Sequence, residues 1–379
     1  LTAATIAVLI AAMARRACSA LCWLALGCGP AQQREQAERV REAGALSELP
    51  GPAPRGRSTE AAAQLNRGCE GCHADIAQEW RASWHARSET DAAYQRAFAL
   101  EPLPFCQGCH APEAAPHLPV PAAAVQLGVA CVTCHVVGGQ VLAAIRHEDA
   151  TKPRLGVDAA PHPVVRDARL NGTRACSGCH EFEFPDRSAR RTPELMQSTV
   201  AEHARSAQRE QACATCHMPL TTRGAAPHRS HAFPGGHDEA LVKGAVTVQA
   251  ERSRDGARIT LTPRELGHAF PTGDLFRRLE VSAEAIGAEW QVVARSRRYL
   301  MRHWERQPSP FGLVLRSATR DDRPLNEAAV VELALGATNL PIAWRVAYQR
   351  VEHPRSDNEQ DSSIEGEIEL GSGILEMKQ

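Results

Sequence analysis

Apolar residues are distributed along the chain in three different ways. Leu1 to Ala12 and Ala17 to Gly27 are nearly continuous apolar runs, separated by Met13-Ala14-Arg15-Arg16. A charged cluster followed by an apolar run too short to span a bilayer is the pattern of an export signal, so residues 1–28 read as a leader with Met13 as its true start. Between Ser58 and Asp238 long Val/Ile/Leu runs are scarce, and periodicity is local. Ile76, Trp80 and Trp84 recur every fourth position and predict a helix. A second helix is expected from Thr192 as N-cap with Pro193 at its first position, which puts Met196, Val200, His203 and Ala207 on one face. After Glu239 the pattern changes to alternation at every second residue. It predicts strands at 245–252, 258–263, 279–286, 291–297, 330–335 and 342–351, with Asp255-Gly256 as a hairpin turn between the first two.

Short strands in that number form sandwiches, so the expected fold class is α+β. A mainly helical and irregular domain over residues 58–238 is followed by an all-β, sandwich-like domain over 239–379. Residues 29–57 read as a tether: Ala31 to Leu49 is rich in Gln, Glu, Arg and Ala, and Pro50 to Arg57 is a Pro/Gly linker. The tail from Pro354 is acidic and polar and is expected to be loose.

Only 4% of the residues are aromatic, so an ordinary hydrophobic core in the first domain looks thin for its length. Something other than side chains must fill it. Five copies of Cys-x-x-Cys-His supply the answer: Cys69, Cys72 and His73; Cys106, Cys109 and His110; Cys131, Cys134 and His135; Cys176, Cys179 and His180; Cys213, Cys216 and His217. With 13 Cys and 16 His in 379 residues, shuffling would give on the order of 0.02 such matches, so the pattern is far above noise. Two thiols three positions apart can bond to the two vinyl groups on one edge of a porphyrin, and the adjacent His then takes an axial position on iron. Zinc is the rival for paired Cys-x-x-Cys, but zinc does not ask for a His at every fifth position. The sequence therefore predicts five covalently attached haem c groups filling the core.

Cysteine arithmetic agrees with export. Ten of the 13 cysteines lie in the motifs, and Cys18, Cys22 and Cys28 fall in the leader. Haem attachment takes place outside the bacterial cytoplasm, where free thiols would otherwise oxidise. Leu24-Ala25-Leu26-Gly27-Cys28 resembles a lipobox, which makes Cys28 the candidate for lipidation and puts the protein on the periplasmic side of a bacterial membrane or at the outer membrane.

Each iron has a second axial position, and eleven histidines lie outside the motifs. Five are the candidate distal ligands. His203 lies on the apolar face of its expected helix, His85 borders the Trp80/Trp84 stripe, and His162 is stiffened by Pro161 and Pro163. His147, between Arg146 and Glu148, has no local sign of burial. His231 stands in His228-Arg229-Ser230-His231-Ala232-Phe233-Pro234-Gly235-Gly236-His237, where Phe233 favours it over His237. His237 and His268, the latter in Gly267-His268-Ala269-Phe270-Pro271-Thr272-Gly273, are held in reserve.

These residues resemble a family. The first motif with Trp80, Ser83 and His85 downstream, and Gly128-Val129 ahead of the third motif with His147 beyond it, are similar to the tetrahaem cytochromes that take electrons from hydroxylamine oxidation and to their multihaem relatives. The resemblance covers roughly residues 69–180. It implies that His85 and His147 are distal ligands and that the second haem in sequence, that of His110, keeps an open iron position. The His231 to His237 stretch and the Gly267 to Gly273 stretch are also similar to segments common in multihaem cytochromes. A fifth motif and the C-terminal domain set this chain apart from the tetrahaem pattern.

Two functions follow as expectations. One is electron transfer between redox proteins or membrane electron-transfer complexes through the haems, with no catalytic residue, and with abundant His favouring bis-His ligation. The other is an oxidoreductase acting on a small nitrogen or sulfur species at the haem of His110, flanked by Pro-rich loops. A net charge of −1 and the lack of any basic–aromatic groove pattern give no signal for nucleic acid.

Overall fold

The computed structural model describes residues 51–52, 56–100, 102–114, 119–145, 162–184, 194–222, 224, 227–308, 314–352 and 362–377. The leader with Cys28, most of the tether, and His147 lie outside the described residues. All described residues belong to one unit, Pro50–Gln379. Among them no helix is long and apolar enough to cross a membrane.

Every motif sits on a short helix, because a helical turn brings cysteines three apart onto one face and sets the next residue beside them. Helix α1 (Thr59–Cys72) carries the first motif and starts from Ser58, whose hydroxyl accepts the Ala61 amide at 3.2 Å. Helix α2 (Ala74–Ala82) follows directly, and α3 (Ala92–Leu100) lies between the first and second motifs. Helix α4 (Pro104–His110) has the second motif, α5 (Ala122–Leu127) precedes the third, α6 (Cys131–His135) is the third, and α7 (Arg174–His180) is the fourth. Helices α8 (Thr199–Arg205) and α9 (Cys213–His217) complete the series, and α10 (Glu239–Gly244) leads into the β half.

The side-chain core here is as thin as composition implied. Ala62, Ala63, Trp80, Leu127, Ala130, Val132 and Val136 make up its main cluster, and the Trp80 indole donates to the Val129 carbonyl at 2.8 Å. Arg57 is a fixed part of this core and not a free linker residue. Its guanidinium donates to both Glu113 oxygens at 2.8 and 2.7 Å and to the Val132 and Val136 carbonyls at 2.9 Å each. Thr133 donates to the same carboxylate at 2.9 Å, so the tether's last residue is locked onto the third motif.

The helix expected from Thr192 is corrected. Leu195–Ser198 is a strand paired antiparallel with Glu181–Glu183, and α8 starts only at Thr199 with Ser198 at its N-cap. Pairing with the segment that leaves the fourth motif outweighs the local helical pattern.

Among the described residues the β half contains nine strands where about six were expected. They are β1 (Val246–Ser253), β2 (Gly256–Pro263), β3 (Arg277–Ile286), β4 (Val292–Leu300), β5 (Arg302–Pro308), β6 (Val314–Asp321), β7 (Ala329–Ala334), β8 (Ile342–Val351) and β9 (Ile364–Leu375). One antiparallel sheet runs β4-β3-β8-β9 and another β7-β2-β1, while β5 and β6 form a separate hairpin. Ile259, Leu261 and Leu333 from one sheet meet Leu279, Val281, Ile342, Val346 and Tyr348 from the other, making the core of a sandwich. Ser253 pairs with Gly256 across a two-residue turn, and Gly256 at φ 155° lies where a side chain would strike the Leu333 carbonyl.

Strand β9 corrects the expectation of a loose tail. Its acidic residues alternate with Ile and Leu, and Arg345 of β8 pairs with Glu367 and Glu369 across the strands. Charge in that stretch belongs to the outer face of a strand.

The two halves are joined through a buried ion pair. Arg323 donates to Glu202 of α8 at 2.7 Å, with the side chains 3% and 1% exposed. Burial acts to raise the Glu202 pKa, yet the Arg323 charge and hydrogen bonds from Thr272 and Ser198 hold it below the usual carboxylate value. Arg323 also donates to the Pro271 carbonyl at 2.7 Å, and Arg302 donates to that of Met196 at 2.8 Å.

Burial separates two ion pairs that look alike in sequence. Arg57→Met strands the Glu113 carboxylate and should cost about 3–5 kcal/mol in denaturant unfolding of the haem-loaded protein. Arg81→Met, which breaks an exposed pair with Glu70, should cost less than about 1 kcal/mol. Equal costs would contradict the role given to the clamp.

Candidate functional site

The motif helices surround one connected cavity of about 2520 Å³, lined by the cysteines and histidine of the first four motifs and by Ala212, Ala214 and Met218 beside the fifth. An ordinary small-molecule site occupies roughly 300–1,000 Å³, so this volume suits several large groups. All ten motif cysteines are free of disulfides. Among the described residues no three His, Cys, Asp or Glu side chains converge as a metal-ion cluster, whereas a zinc ribbon needs four such donors together.

Histidines meet in pairs, three of them across this cavity. The His73 ring faces His162 with centroids 6.4 Å apart, and His85 faces His180 at 6.2 Å. His135 faces His231 at 6.2 Å, and His217 faces His268 at 6.0 Å. Two imidazoles that each bind one metal at about 2 Å have nitrogens about 4 Å apart and centroids about 6 Å apart. The four separations therefore fit one iron between each pair.

Hydrogen bonds prepare the same rings for a metal. The Nδ1 of His135 lies 2.8 Å from the Leu142 carbonyl, that of His217 2.7 Å from Pro234, and that of His110 2.7 Å from Ser88. His231 and His268 direct Nδ1 at the carbonyls of Arg229 and Ala269, at 2.8 and 3.0 Å. A carbonyl only accepts, so Nδ1 holds the hydrogen and Nε2 keeps its lone pair for iron. Burial keeps several rings neutral as well. It takes the His85 pKa down to about 3, with His180, His217 and His231 nearby adding repulsion, and that of His180 down to about 4. Burial also lowers the pKa values of His110, His231 and His268.

His110 differs from the other four. Tyr94 packs flat against its ring at 3.6 Å and 5°, and among the described residues no second imidazole faces it. Loop 274–277 of the β half lines the same cavity, and α3 is held to that half by Arg96 pairing with Glu352 at 3.2 Å.

The candidate ligands divide accordingly. His85, His162 and His231 stand opposite motif histidines, and His147 lies outside the described residues. His203 is placed differently: its Nδ1 is 2.7 Å from the Gly267 carbonyl and its Nε2 3.0 Å from that of Gln211, so each nitrogen is turned to a backbone carbonyl. His268, held in reserve, is the ring that faces His217. His237 instead stacks on Trp84 at 3.7 Å, where Arg87 covers the same ring at 4.4 Å. The turn around Pro271-Thr272-Gly273 was the available signal for His268, but which iron it approaches depends on contacts far apart in sequence.

Local geometry explains the placement of His85. Gly128, at φ 51°, runs beneath the His85 and Ala86 carbonyls, where a Cβ would collide, and the Val129 amide donates to the His85 carbonyl at 2.8 Å. Motifs also meet one another. Cys69 and Cys131 pack against the same side-chain cluster, which sets the first motif beside the third, and burial pushes the Cys131 thiol up to about 12. Cys176 and Cys213 share a hydrogen bond that joins the fourth motif to the fifth. The Gly51 amide bonds to the Gly178 carbonyl while Gly108 packs on Gly51, bringing the second motif to the fourth.

Residues 68–136 match the family model described as cytochrome c554 and c-prime. A comparison with curated proteins found no match. Among solved structures, the chain shares its fold with a penta-heme cytochrome c552 from Thermochromatium tepidum, at a TM-score of 0.60 and 20% identity, over 81% of this chain and 97% of that one. Cysteine pairs followed by histidine thus line one cavity in a chain whose residues 68–136 are similar to the cytochrome c554 and c-prime family and whose fold is that of the pentahaem structure.

Proposed function

We propose that the protein carries electrons between redox partners through five covalently bound haem c groups. Bound haem c supplies reversible one-electron chemistry at iron. The observation that carries the reading is the set of four facing imidazole pairs at 6.0–6.4 Å. Their rings would close both axial positions at four irons: His73 with His162, His180 with His85, His135 with His231, and His217 with His268. A closed iron has no site for substrate, which favours a carrier. Packing of motif one on three, four on five and two on four supports short haem-to-haem steps within the set.

A second reading rests on His110. Tyr94 stacks on the face of its ring, and no facing imidazole is found among the described residues. An iron bound there would keep one axial position for a small ligand, in keeping with a multihaem oxidoreductase acting on a nitrogen or sulfur species. Export and lipid attachment at Cys28 remain part of the proposal, supported by the sequence of residues 13–28.

Two experiments bear on these assignments. In electron paramagnetic resonance of the oxidised protein, His85→Ala, His162→Ala, His231→Ala and His268→Ala should each convert one low-spin haem to high-spin at unchanged haem content. A spectrum that stays low-spin removes that histidine from the ligand set. In cells, Cys28→Ser should move the protein from the membrane to the soluble fraction, whereas continued membrane association would count against the lipid anchor.

A further inference from the structure

His203 is buried, and iron does not explain it. It lies on α8, immediately before the chain enters the fifth motif, and is 8% exposed. Its two ring nitrogens reach two separate stretches of backbone. Nδ1 meets the carbonyl of Gly267 at 2.7 Å, one residue before His268, and Nε2 meets that of Gln211 at 3.0 Å, two residues before Cys213. One rigid ring thus ties the loop bearing one member of the fifth pair to the approach of the motif bearing the other.

The rest of α8 grips the same loop. Thr272 donates to Glu202 at 2.6 Å and lies 3.0 Å from the Thr199 hydroxyl, and Arg323 holds Glu202 and the Pro271 carbonyl. On the opposite side, His217 is fixed by Nδ1 at the Pro234 carbonyl, 2.7 Å away. The resulting pair has an orientation of its own. His217 and His268 lie at 15° to one another, against 65°, 71° and 38° for the other facing pairs.

We propose that His203 is a positioning residue that sets the separation and near-parallel orientation of His217 and His268. The inference rests on the reading of those two rings as axial partners. Buried polar groups held between two partners specify one arrangement, and a ring whose two nitrogens abut two carbonyls leaves neither stretch free to shift without losing a contact. An apolar residue at 203 would leave both carbonyls without a partner and allow the His268 loop to turn relative to the motif.

Spin resonance reads ring orientation directly. Near-parallel axial imidazoles give a rhombic low-spin signal, and strongly crossed ones give a signal dominated by one large g value. His268→Ala on the haem-loaded protein should abolish the rhombic signal and so identify it with this pair; survival of that signal would overturn the ligation reading and the inference with it. His203→Leu should keep five haems but lose or broaden the same signal, with a shift in one reduction potential. His203→Gln, which keeps an N–H donor at this position, should restore both. A rhombic signal and potentials unchanged in His203→Leu would overturn the positioning role while leaving His268 as ligand. Complete conversion of one haem to high-spin, not rescued by Gln, would make His203 a ligand and equally overturn it.

Discussion

An imidazole binds iron through a bare nitrogen, so each ring of an axial pair must keep its hydrogen on Nδ1, remain neutral, and stand about 6 Å from its partner. Much of the first half of the chain follows from that requirement. Short helices set the thiols and one imidazole on a common face. Backbone carbonyls then hold Nδ1 of His110, His135, His217, His231 and His268, and burial holds His85 and His180 uncharged near neutral pH. Loops that look irregular in outline, such as 228–237 and 267–274, are the carriers of the second ring.

The β half bears on the same requirement from a distance. It brings His268 to His217 and lines the cavity near His110 with residues 274–277. Its attachment is polar and buried: Arg323 and Glu202 are almost wholly enclosed, and breaking such a pair costs far more than breaking one at the surface. The sandwich therefore holds the His268 ring opposite His217 and supplies part of one wall of the cavity.

Much of this was legible in the sequence, and the remainder was lost for definite physical reasons. The motifs are local, so Cys-x-x-Cys-His gave the helices and the cofactor directly. Alternation gave six strands, but β5 and β6 were missed, and β9 was read as a loose tail because its acidic residues hide the Ile and Leu between them. His85, His162 and His231 were chosen from stiff or apolar surroundings. His203 has similar surroundings, yet its nitrogens meet backbone carbonyls, because an apolar helix face reports burial without reporting what the ring nitrogens meet. Gly267 and Gln211, which answer that question, lie 64 and 8 residues away.

The central claim is that four irons are closed by paired histidines while the iron of His110 is not. Mössbauer spectroscopy of the fully loaded, ⁵⁷Fe-enriched oxidised protein counts both populations in one measurement. The account predicts four low-spin sites to one high-spin site, with the high-spin component alone responding to an added small ligand. Five low-spin sites, or two or more high-spin sites, would contradict it.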